Sequence, residues 1–126
     1  MTDINSENLD QAIEDGGRSI VREGFKKGDV VVVTGCARGF GEAISKRLAR
    51  DGARLALWDV IDDEGETTAA ACRDAGVEAE FFHCDLGAAD QIQAAAKATL
   101  EKFTTVFAIV NNAGIHPRAP SMEVPL

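Results

Sequence analysis

Four consecutive valines at 30–33 run straight into the turn Thr34-Gly35-Cys36-Ala37-Arg38-Gly39-Phe40-Gly41, and a helical pattern begins immediately after it. No other feature restricts the fold as much. A continuous β-branched run marks a strand covered on both faces. Glycines in the turn that follows permit φ > 0 and let another group approach the backbone without meeting a Cβ. Strand, glycine turn and helix, in that order, aim backbone N–H groups from the positive end of a helix, which is where a phosphate is held. A bare glycine cluster would mark only a turn. The strand before it and the helix after it carry the reading further.

From residue 29 onward the pattern is regular. Strands are expected at 30–33, 54–59, 80–84 and 106–110. Helices are expected at 42–50, where Ile44 and Leu48 share a face, and at 62–75, with Thr68, Ala71, Cys72 and Ala75 on one stripe. The third helix has the clearest period: Ile92, Ala95, Ala96, Thr99, Leu100 and Phe103 follow i, i+3, i+4, i+7, i+8, i+11. Gly52 and Gly76 close the first two. Strands alternating with helices imply right-handed crossovers and an α/β fold, a Rossmann-like parallel sheet with helices on both faces. The sheet is expected to be incomplete, with strands 3-2-1-4 of the doubly wound order. Residues 1–28 read as an N-terminal extension: Ser6 can cap a short helix bearing Leu9, Ala12 and Ile13, Gly16-Gly17 breaks it, and Ile20, Val21 and Phe25 form a second apolar segment. Residues 29–126 read as the N-terminal part of a dinucleotide-binding domain.

Composition narrows the function classes. A net charge of −8 argues against a nucleic-acid partner, which would need a basic face. No apolar run approaches the ~20 residues that span a bilayer, and the polar start Met-Thr-Asp-Ile-Asn has no signal-peptide pattern, so a cytoplasmic protein with no membrane association is expected. Cys36, Cys72 and Cys84 lie far apart, which suits a reducing compartment and offers neither a disulfide framework nor a metal site.

Spacing separates the turn from its relatives. A Walker-type loop needs Gly-Lys-Ser/Thr at the helix start, whereas Ser45-Lys46 comes later and in reverse order. The G-x-G-x-x-G fingerprint, started at Gly39, would need a small residue where Ile44 stands. What is present is T-G-x-x-x-G-x-G, joined by Asn111-Asn112-Ala113-Gly114 at the end of the fourth strand. Together these motifs resemble the short-chain dehydrogenase/reductase family, classical type, over residues 29–126. A methyltransferase with a similar sheet is disfavoured by the glycine spacing and by the Asn-Asn-Ala-Gly segment.

The resemblance implies roles. The backbone around Gly35, Arg38, Gly39, Phe40 and Gly41 would hold a pyrophosphate, with the Phe40 ring packed apolarly while its N–H faces phosphate. Asp59, 18 residues beyond Gly41, would accept hydrogen bonds from both adenosine ribose hydroxyls and repel the 2′-phosphate of NADP. Arg38 is the opposing signal, because a cation in the loop attracts that phosphate. The two effects are each on the order of 1 kcal/mol, and Asp59 also loses its ribose bonds to NADP, so NAD is the expected cofactor. The plainer alternative is that Asp59 merely ends a strand. Asp85 would meet the adenine amino group and Leu86 line its ring, although an Asp there also serves as a helix cap. Asn112, Ala113 and Gly114 would pass beside the ribose. His83 reads as a partly buried neighbour and His116 has no evident partner. Cys36 sits where a helix N-terminus lowers a thiol pKa, yet without a resolving cysteine or base it reads as structural.

The family's chemistry rests on a Tyr-x-x-x-Lys pair and a Ser. This chain contains no tyrosine, and Ser121 precedes the stretch where that serine belongs. No catalytic residue is therefore assigned. Two hypotheses follow: the cofactor half of an NAD-dependent alcohol dehydrogenase or ketone reductase that ends before its catalytic residues, or an inert nucleotide-binding module acting through a partner chain. Partners expected on the first are NAD(H), a small alcohol or ketone in the full-length protein, and further copies of the chain, since 106–110 would be an unprotected apolar edge strand.

Overall fold

The computed structural model describes residues 24–114. Along them the chain runs β1 (Val30–Thr34), α1 (Gly39–Arg50), β2 (Arg54–Asp59), α2 (Asp62–Asp74), β3 (Ala79–His83), α3 (Ala89–Phe103) and β4 (Ala108–Val110). The strands form one parallel sheet in the order β3-β2-β1-β4. This is the expected Rossmann-like α/β arrangement with its incomplete strand order. The readings around Ser6 and Ile20, His116 and the proline-rich stretch lie outside the described residues.

Strand alternation divides the core into two layers. Val31, Val33, Leu55, Leu57 and Ala79 pack with Ala49, Ala69 and Cys72 beneath α1 and α2. Val30, Val32, Ala56 and Trp58 pack on the opposite face with Ala95 and Phe103 of α3. A sheet covered on both faces is what the unbroken valine run requires. The buried Trp58 Nε1–H donates to Thr99 Oγ1 at 3.1 Å, satisfying two polar groups that would otherwise be stranded in this layer. Helix charges suit the backbone dipoles: Asp62, Asp63 and Glu64 occupy the first turn of α2 and Arg73 its last.

The differences from the sequence reading are local. α1 begins at Gly39, so the second half of the glycine turn is already helical. α3 begins at Ala89, three residues before its apolar stripe, because periodicity registers only residues that face the sheet. The fourth strand is shorter than expected, Ala108–Val110. Leu100 was expected on the buried stripe of α3 but is 50 % exposed; Ile109, on the α3 side of β4, is 54 % exposed. Among the described residues, no element covers β4 on that side beyond α3. Ala75 is also exposed, lying past the end of α2. No helix among the described residues is long and apolar enough to cross a membrane.

Candidate functional site

All four strands run parallel, so the loops after β1, β2, β3 and β4 meet at one edge of the sheet, where ligands of open α/β sheets bind. They enclose a cleft of about 860 Å³. Gly35, Arg38, Gly39, Phe40, Asp59, Asp85, Leu86, Asn112, Ala113 and Gly114 line it, which brings together ten of the eleven residues singled out in the sequence. Gly41 is buried behind them.

The glycines do different jobs. Gly39 has φ +57, a conformation side chains rarely adopt, and a Cβ built on it would meet nothing within 4 Å. It leaves the mouth of the cleft open directly over the start of α1, a helix end that no side chain caps. Gly41 is needed for close approach instead. A Cβ there would lie 1.8 Å from Gly35 O and 2.7 Å from Asn112 Nδ2.

Thr34, quoted in the motif but given no role by the sequence, ties the first loop to the fourth. Its hydroxyl accepts the N–H of Asn112 and of Ala113, each at 3.1 Å, and donates to Val110 O at 3.3 Å. Asn112 Nδ2 donates to Gly35 O at 3.2 Å. A hydroxyl is the smallest group that both donates and accepts, and the requirement at this position could have been suspected from that property alone.

Asp59 is built into the backbone around it. Oδ2 accepts the N–H of Ala37 at 2.9 Å, while Oδ1 accepts those of Val60 at 2.7 Å and Ile61 at 3.1 Å. One carboxylate thereby fixes the glycine turn and the entry to α2. Asp85 makes a smaller turn of the same kind, with Oδ1 accepting Gly87 N–H at 2.8 Å. It does not cap α3; Ala88 occupies that position. Val60, Ile61, Trp58, Cys84 and Gly87 also line the cleft and were not singled out in the sequence, where apolar strand-end residues resemble any core residues.

Two expectations are corrected. The Phe40 ring does not pack: it is 82 % exposed at the cleft rim, because the first turn of α1 directs that position away from the sheet. His83 is half exposed rather than partly buried, with Nδ1 2.6 Å from Asp62 Oδ1. Cys36 is fully buried, in keeping with its structural reading, and its thiol is not activated. Burial, with the Asp59 carboxylate adding to it, pushes its pKa from 9.0 up to about 12. Burial likewise raises Cys72 to about 11, and raises Cys84. The fold therefore retains these thiol protons across a window in which the unfolded chain releases them. Stability should fall as pH rises from about 9 toward about 12. Urea unfolding across that range should show the midpoint decreasing, with a shallower decrease in Cys36→Ala; a flat midpoint would contradict the burial argument.

A family model described as short chain dehydrogenase matches residues 29–126. The chain belongs to the short-chain dehydrogenase family. It is 36 % identical over 88 residues to estradiol 17-beta-dehydrogenase 11 of Mus musculus, covering 70 % of this chain and 30 % of that protein. The solved structure of an NAD⁺-bound xylitol dehydrogenase superposes with a TM-score of 0.73 at 31 % identity, over 79 % of this chain and 38 % of the other. A metagenomic short-chain oxidoreductase in complex with NADP superposes with a TM-score of 0.67 at 38 % identity, over 71 % and 40 %. The chain thus spans about a third of the length of these family members. Nicotinamide cofactors of both kinds occur among the short-chain dehydrogenases it resembles.

Proposed function

We propose that this chain holds the adenosine and pyrophosphate portions of NAD(H), as the cofactor half of a dehydrogenase or reductase acting on an alcohol or ketone. The observation that carries this reading is the Asp59 carboxylate, fixed by three backbone N–H groups at the ribose end of a cleft whose other end is the uncapped start of α1. The site fits the group. The open space over Gly39 admits a pyrophosphate where any Cβ would intrude. Oδ1 already accepts two hydrogen bonds and Oδ2 one, so a lone pair remains on Oδ2 for a ribose hydroxyl. That allows one strong ribose bond to this carboxylate where the sequence suggested two. Leu86 and Asp85 flank the place for adenine, and Asn112 to Gly114 line the side toward the nicotinamide ribose. When bound, NAD supplies the hydride acceptor; the protein's part is to fix the cofactor's orientation.

The preference for NAD follows from Asp59, which repels a 2′-phosphate and loses its ribose bond to one. Three buried cysteines suit a reducing cytoplasm. A chain without tyrosine lacks the family's proton-accepting group, so the 126 residues alone should not turn over alcohols. The second reading is an inert nucleotide-binding module acting through a partner chain. An assay of NADH formation with a panel of secondary alcohols separates the two classes only once a longer chain is tested; for the 126 residues, no turnover is expected on either.

Calorimetry tests the binding claim directly. ADP-ribose and NAD should bind with similar affinity, and NADPH more weakly than NADH. NAD binding more than tenfold tighter than ADP-ribose, about 1.4 kcal/mol, would show a complete nicotinamide pocket and overturn the half-site reading. Light scattering of the same samples should show oligomers, consistent with Ile109 exposed on the edge strand β4.

A further inference from the structure

Arg38 and Glu64 are 26 residues apart in the chain yet make a two-pronged ion pair. Arg38 Nε donates to Glu64 Oε2 and Nη2 donates to Oε1, the latter at 3.1 Å. Arg38 stands at the start of α1 and Glu64 in the first turn of α2, so the pair links the glycine turn to the helix that follows Asp59. Asp62, also in the first turn of α2, is engaged by His83 Nδ1 at 2.6 Å. Glu64 is the carboxylate that holds both prongs of Arg38. The mutual hydrogen bonds raise the guanidinium's pKa and lower the carboxyl's, and Asp59 lies close enough to push both upward.

We propose that Glu64 is a positioning residue that sets cofactor choice: by occupying both prongs of Arg38 beside Asp59, it denies that cation to a nucleotide 2′-phosphate. The inference rests on the NAD(H) reading of the cleft and adds to it a residue outside the glycine turn and outside the strand-end carboxylate. An unoccupied guanidinium fork matches phosphate geometry better than any other side chain. Left free on the cleft wall, Arg38 would counteract Asp59 and make the site permissive for both cofactors. Paired with Glu64, its charge is cancelled, and a 2′-phosphate faces Asp59 with no compensating cation. Both partners are substantially solvent-exposed, with side-chain exposures of 68 % and 45 %, so the pair is a competitor that a phosphate must displace rather than a fixed strut.

The test uses the 126-residue chain with two probes that differ only at the 2′-oxygen of the ribose, 5′-AMP and adenosine 2′,5′-bisphosphate. Their affinities are measured by calorimetry at low ionic strength, and the ratio is the readout. Glu64→Gln should shift that ratio about three- to tenfold toward the bisphosphate, and added salt should shrink the shift. In an Arg38→Gln background the same substitution should produce no shift, because there is no guanidinium left to release. A purely structural role for Glu64 would alter both affinities together and leave the ratio unchanged, which would overturn the proposal. A shift that persists without Arg38 would also overturn it, since the carboxylate would then act by its own charge. Failure of the wild-type chain to bind either nucleotide would instead sink the NAD(H) reading on which the proposal rests.

Discussion

Gly41→Ala should destabilise the protein by about 3 kcal/mol or more, a large share of the stability of a domain this size. The added methyl would sit 1.8 Å from Gly35 O and 2.6 Å from Gly35 C, far inside van der Waals contact, and 2.7 Å from Asn112 Nδ2. Two of those three atoms are backbone. Relief requires either moving the start of α1 away from the turn after β1 or displacing Gly35 and Asn112, which strains the Asn112 Nδ2 bond to Gly35 O. Gly39→Ala makes the informative contrast. Its methyl meets no protein atom within 4 Å, so the stability cost is that of a side chain at φ +57, about 1 to 2 kcal/mol. Its effect on ADP-ribose binding should nevertheless be large, because the methyl projects where the pyrophosphate would lie. Urea unfolding and calorimetry on the two variants should therefore rank them in opposite orders relative to the binding each retains per unit of stability lost. A Gly41→Ala protein as stable as wild type would mean that α1 does not approach the turn as described.

Asp59→Ala should cost both stability and affinity, by about 2 kcal/mol in stability and more than tenfold in ADP-ribose binding. Three backbone N–H groups lose their acceptor at once: Ala37, Val60 and Ile61. Val60 is exposed and Ile61 partly so, whereas Ala37 is buried, so water recovers the loss at the first two and keeps the cost below the sum of three charged hydrogen bonds. Asp59→Asn should recover little. An amide has one acceptor oxygen, which can serve Val60 and Ile61, but its NH₂ would then confront the Ala37 N–H donor to donor. NADP affinity relative to NAD should rise in both variants. If Asp59→Ala changed the cofactor ratio with no change in unfolding midpoint, the carboxylate would be a ribose ligand only, and its three backbone bonds would contribute nothing to holding the turn.

Much of the site was readable from the chain because its parts are local. Val30 to Val33 and the apolar run Leu55-Ala56-Leu57-Trp58 declare strands through residue type, and Gly52 and Gly76 punctuate the helices within a few residues of where they end. Asp59 and Asp85 were placed by their position at strand ends, and parallel strands necessarily gather such ends along one edge. Where the reading failed, orientation or solvent was at issue. The period of α3 assigns Leu100 to its buried stripe, but whether anything lies opposite depends on the neighbours of β4. Phe40 is apolar and was assumed to pack; its place in the first turn of α1 leaves the ring at the cleft rim.

The sequence by itself determined the order of the elements, the α/β class and the place of the glycine turn between β1 and α1, because each follows from the type and spacing of residues close together in the chain. Only the tertiary structure decided which glycine opens the cleft and which admits the helix, since that depends on Gly35 and on Asn112, 71 residues further along the chain, lying against Gly41. It likewise decided that Thr34 joins the β1 and β4 loops, that Asp59 holds Ala37 in place, and that Glu64 occupies Arg38. Each of these is a directional contact between residues distant in sequence. Residue type gives such groups the capacity to donate or accept, and packing the sheet with α1 and α2 on one face selects the partners that fall within hydrogen-bonding distance.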